Sequence, residues 1–136
     1  MNSRVLKKMI ALSFLLSLLL FASAAQADGV APHADEVFTS ITITLYSNRK
    51  VDYEAVTQDI CSYIEVSACS LYQLINGEWK YIRALRKPSG RETDDLLYSR
   101  TVSYTQSEIG SGTYKIGARF TADGHSVTRY SNQKTF

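Results

Sequence analysis

From Phe38 onward the chain alternates apolar and polar residues with a period of two, the repeat of a half-buried β-strand. In "TSITITLY", Ile41, Ile43 and Leu45 fall on one face and Thr42 and Thr44 on the other. The β-branched content favours extended backbone. "SNRK" reads as a turn. "VDYEAVT" then sets Val51, Tyr53 and Ala55 against Asp52 and Glu54. Two longer runs, Ser67 to Ile75 and Glu78 to Arg86, flank Asn76-Gly77. That dipeptide supplies the two positive-φ residues of a type I′ hairpin turn. A two-residue loop sets the register. Ile75 is expected to face Glu78, Leu74 to face Trp79, Tyr72 to face Tyr81 and Ala68 to face Leu85, with Leu71–Ile82 and Cys69–Ala84 on the other side.

"KPSGRETDD", Lys87 to Asp95, is a loop, because Pro88 removes a ladder donor and Gly90 permits a turn. "LLYSRTVSY" puts Leu96, Tyr98 and Val102 into another strand, with imperfect alternation. "SEIGSG" is a further loop. "TYKIGARFTA" has the cleanest pattern: Tyr114, Ile116, Ala118 and Phe120 inward, Lys115, Arg119 and Thr121 outward. Asp123-Gly124 repeats the hairpin signal before "HSVTRYS". About seven short strands without a helical period predict an all-β, antiparallel β-sandwich of immunoglobulin-like kind over residues 38–136. A small β-barrel is the alternative. The Cys–Trp–Cys order of antibody domains is absent, since both cysteines precede Trp79.

The N-terminal end has a different pattern. Arg4, Lys7 and Lys8 precede an uncharged, mostly apolar run from Met9 to Phe21, and "AQA" closes at Ala27. This is the order of a secretory signal peptide, residues 1–27, with cleavage expected before Asp28. Residues 28–37 read as a flexible polar leader. The expected destination is outside the cell, with no stable membrane insertion once the signal is removed. The signal also changes the charge. Three of the 15 basic residues and none of the 13 acidic ones lie in it, leaving 12 against 13. A near-neutral domain lacks the excess of cations that nucleic-acid binding requires.

Cys61 and Cys69 are the two cysteines. An even pair in an exported chain is read as a disulfide, and here it would require a bend or a bulge within "CSYIEVSAC".

Few residues suggest chemistry. His33 lies in the leader and His125 follows a turn; neither has a second histidine at ligand spacing. Ser126 beside His125 is a neighbour in sequence only, because adjacent strand residues point to opposite faces. Glu92, Asp94 and Asp95 make an acidic loop whose oxygens suit calcium or paired-carboxylate chemistry, but the bland reading is a solvated loop paired with Arg91. No cofactor, no metal site and no catalytic residue is expected. Lys80, Arg83, Arg86, Lys87 and Arg91 read chiefly as charges guarding a sheet edge.

The remaining signal is aromatic. The hairpin register puts Tyr72, Trp79 and Tyr81 on one face with Leu74 and Leu85. Either that face is core, or it is an open surface of flat amphipathic rings suited to an extracellular glycan or protein. A self-associating matrix or envelope protein is the second reading, and a secreted hydrolase or inhibitor the third. "NGEWKYI" and "SGTYKIGARFTADGHSVTRYS", together with the signal peptide, resemble small secreted Gram-positive bacterial proteins of uncharacterised, immunoglobulin-like β-rich families. The resemblance covers roughly Leu71 to Ser131. It implies export and an immunoglobulin-like sandwich, and brings no catalytic residues with it.

Overall fold

The computed structural model of the chain describes residues Val37–Phe136. The expected signal peptide and residues 28–36 of the leader lie outside the described residues. Those described form nine strands in two antiparallel sheets, with no helix among them. The first sheet has the order β1-β2-β6, from β1 (Phe38–Leu45), β2 (Lys50–Thr57) and β6 (Leu97–Ser103). The second runs β4-β3-β7-β8, from β4 (Glu78–Ala84), β3 (Tyr63–Ile75), β7 (Thr113–Ala122) and β8 (His125–Tyr130). Two short strands extend it: β5 (Arg91–Glu92) pairs with β3, and β9 (Lys134–Thr135) with β7. The arrangement is a sandwich. The two sheets do not close, so the barrel alternative is set aside.

The period-two pattern explains the core. Val51, Tyr53 and Ala55 of β2, Tyr98 of β6, and Tyr114, Ile116, Ala118 and Phe120 of β7 are all buried. Phe120 joins the sheets, its ring edge-on to Tyr98 at 6.3 Å and tilted against Tyr53 at 6.5 Å. Leu96 stays outside because its carbonyl accepts from Thr57 N–H at the strand end, and its side chain is exposed. Both dipeptide turns form as their chemistry requires. Asn76 and Gly77 have φ of 53° and 80°, and Asp123 and Gly124 of 44° and 87°.

The hairpin register holds from the turn to Tyr72–Tyr81 and then changes. A bulge inserts Ile82, so Leu71 faces Arg83 rather than Ile82, and Ser70 rather than Cys69 faces Ala84. One extra residue reverses the facing of everything beyond it. Leu85, expected beside the aromatics, therefore turns into the core, and its N–H donates to the Cys69 carbonyl at 2.9 Å.

The expected Cys61–Cys69 disulfide is not formed; both thiols are free and buried. A bulge does fall at Ser67, between Val66 and Ala68, but it does not reverse the chain, and β3 runs on as one extended strand from Tyr63 through Cys69. Six extended steps cover roughly 20 Å, far beyond disulfide reach. Cys61 Sγ instead donates to Thr57 Oγ1 at 3.2 Å. Cys69 Sγ lies 3.0 Å from Tyr53 Oη, which is 2.8 Å from Tyr104 Oη, and Tyr104 donates onward to the Arg86 carbonyl. Burial raises the Cys69 thiol pKa, so it stays protonated.

Candidate functional site: an aromatic sheet face

The inner face of the larger sheet covers the core, and its outer face is open. Cross-strand partners share a face, so the register sorts the outer residues into rows. Leu74 pairs with Trp79 in the first. Tyr81, Tyr72 and Lys115 form the second. Ala84, Ser70, Gly117 and Tyr130 form the third, and Ala68, Arg119 and Thr128 the fourth. Tyr72, Trp79 and Tyr81 thus share one face and lie outside the core. Tyr72 and Trp79 are half-buried, and Tyr81 is 58% exposed.

Three tyrosines are in contact. Tyr72 meets Tyr81 at 6.0 Å and Tyr130 at 5.7 Å, both nearly edge-to-face. That is the favoured geometry for rings whose faces are negative and edges positive. Gly117 makes it possible. A Cβ there would be 2.9 Å from both Tyr130 Cε1 and Tyr72 Cε2, so the rings close over bare backbone. Burial by this packing, reinforced by the Tyr130 hydroxyl, raises the Tyr72 pKa. Lys115 Nζ lies 4.5 Å from the centroid of Trp79 and 4.6 Å from that of Tyr130, a cation held by two rings. Beside the cluster is a depression of about 220 Å³ lined by Ala68, Ser70, Tyr72, Gly117, Arg119 and Thr128. Its volume is below the roughly 300–1,000 Å³ of drug-sized pockets, and it is shallow rather than enclosed.

Tyr130, Lys115, Gly117 and Arg119 escaped the sequence reading as site residues. Alternation along β7 put Lys115 and Arg119 outward and Asp123-Gly124 signals its hairpin with β8, but nothing local in the chain says that β7 lies beside β3. That pairing joins residues some 50 apart and brings Tyr130 to Tyr72.

Of the other candidates, Glu92, Asp94 and Cys61 line one open depression of about 700 Å³ with Ile60, Ser62, Tyr63 and Thr93. The Arg91 guanidinium donates to the Leu97 carbonyl and makes no pair with the acidic loop. Asp95 Oδ1 accepts from Leu96 N–H, and Glu92 belongs to β5. Among the described residues no group of His, Cys, Asp or Glu is arranged to hold a metal ion. His125 is exposed at the start of β8, and Ser126 Oγ bonds Thr121 Oγ1 at 2.8 Å.

Fold and site together define a two-sheet β-sandwich with an aromatic outer face. No protein-family model matches the chain, and neither the curated proteins nor the solved structures contain a match to it.

Proposed function

We propose that this is an exported, non-catalytic binding module that holds an extracellular surface or matrix glycan on the outer face of its larger sheet. The observation that carries the reading is the chain of rings Tyr81–Tyr72–Tyr130, with Trp79 beside it, on an open face and partly exposed. Flat rings with polar rims offer a sugar an apolar surface for its C–H faces and hydroxyls for its edge. They are also rigid, so little side-chain entropy is lost on binding. A shallow depression over small residues suits a ring laid flat.

The architecture we infer is immunoglobulin-like. Support comes from the three-plus-four arrangement of the long strands and from Tyr114, at the start of β7, whose hydroxyl donates to the Ser111 carbonyl three residues upstream at 3.0 Å. That bond has the geometry of a tyrosine corner. Export rests on the charged start, apolar run and "AQA" motif, and a mature N-terminus at Asp28 in culture supernatant is its check.

Retention on washed cell walls and insoluble polysaccharides tests the function. Tyr81→Ala should change stability by no more than about 0.5 kcal/mol, as exposed substitutions do, yet lower retention several-fold. Trp79→Ala should lower it as well. Retention of wild type by none of these materials, or equal retention of both variants, would discard the glycan reading. Size-exclusion species that grow with concentration would favour the self-associating matrix protein instead.

A further inference from the structure

We propose that the depression between Tyr72 and Arg119 takes an acidic sugar, a uronic acid within a polysaccharide, with the sugar ring on the tyrosines and its carboxylate on Arg119. The inference rests on the glycan reading above and narrows its ligand.

Charge is the observation. The four rows around the depression contain two cations, Lys115 and Arg119, and no acid; the next row along the sheet, Glu65, Thr121 and Ser126, brings one. The ion pair between described residues is Lys80–Glu78 at the hairpin tip, and neither Lys115 nor Arg119 has a carboxylate in direct contact. The lining of the depression carries Arg119 and no acid, and a cationic, aromatic-lined hollow raises the local concentration of anions. The geometry adds direction. Arg119 is exposed, lines the depression directly, and is one row from the Ser70–Gly117 floor. Its planar guanidinium matches a carboxylate with two parallel N–H···O bonds. Tyr72 forms the opposite wall. Lys115 is four residues along β7, roughly 13 Å away along the strand, so a run of linked acidic sugars reaches both cations where a single sugar reaches one. Lys115 is held by Trp79 and Tyr130, so its ammonium is already placed before a ligand arrives.

The probe is an oligomer of galacturonic acid, compared with its methyl ester and with a neutral glucan oligomer, by titration calorimetry on the mature chain. The acid should bind and the ester and glucan should bind far more weakly. Arg119→Gln should weaken binding of the acid about tenfold, the loss of one charge-assisted contact, with the thermal midpoint unchanged. Lys115→Gln should weaken a long oligomer more than a short one. Equal affinity for acid and ester would overturn the acidic-sugar assignment while leaving the aromatic glycan site standing. Binding to dextran sulfate as tight as to galacturonate would also overturn it, since that marks unspecific attraction of anions. Absence of binding to all the saccharides, with insoluble polysaccharides also failing to retain the protein, would remove both readings.

Discussion

At the residue scale the two cysteines show how context changes a side chain's role. Each thiol is hydrogen-bonded in its own part of the core, Cys61 to Thr57 and Cys69 to Tyr53. The Cys69 thiol, its pKa raised by burial, holds little thiolate, the reactive form, and Cys61 is buried away from reagents. Native protein in oxidising buffer should therefore keep the mass of the fully reduced chain. A thiol reagent should label two groups per chain only after denaturant is added. A mass two hydrogens lighter, unchanged on dilution, would mean that the bridge forms and that β3 bends. The nine-residue segment from Cys61 to Cys69 was compatible with either outcome. What keeps the thiols apart is the extension of β3, which β7 pairs from Ile64 to Gln73 around a bulge at Ser67.

At the element scale two glycines of the larger sheet act by different means. Gly77 has φ of 80° and open space where a Cβ would be. Gly77→Ala should thus meet backbone strain alone, roughly 1–2 kcal/mol for a left-handed alanine, with the aromatic circular-dichroism signal intact. Gly117 has no such φ, but its Cβ would collide with both Tyr72 and Tyr130. Gly117→Ala should displace these rings, change the near-ultraviolet dichroism and reduce glycan retention. If its dichroism matched wild type, the rings would not be closed over Gly117 as described. The hairpin itself was legible in Asn76-Gly77, and with it the alignment of Tyr72, Trp79 and Tyr81. The bulge at Ile82 was not, because it answers to the packing of Leu85 in the core rather than to any local turn signal.

At the scale of the whole molecule the core is held by tyrosines that burial makes harder to ionise. Burial pushes Tyr98 up to about 12, and pushes Tyr53 and Tyr104 higher still. The sign of the effect on stability follows directly. A tyrosine whose folded pKa is raised binds its proton more tightly folded than unfolded. Its contribution is complete below the ordinary tyrosine value of about 10 and declines as pH rises from there through the folded value. Denaturant midpoints should fall steeply above that point, and phenolate absorbance from buried tyrosines should appear together with unfolding. Smooth ionisation of all nine tyrosines in a chain that stayed folded would contradict the burial of Tyr53 and Tyr98 between the sheets.

The sequence by itself determined most of the long strands, the inward faces of β2 and β7, the two tight turns, and the gathering of Tyr72, Trp79 and Tyr81 on one side of a ribbon; it missed the first residues of β3, from Tyr63, and the short β5 and β9, of which β5 lies in the stretch read as a loop. The features it determined follow from period-two patterning and from turns that need positive φ, both properties of neighbouring residues. Only the tertiary structure decided which strands lie side by side where no tight turn joins them. The pairing of β3 with β7, added to the β7–β8 hairpin that Asp123-Gly124 signals, brought Tyr130, Lys115 and Arg119 to the aromatics of the β3–β4 hairpin, and it keeps β3 extended so that Cys61 and Cys69 stay apart. Such contacts join residues far apart in the chain, and their energy comes from the shared core rather than from any local motif.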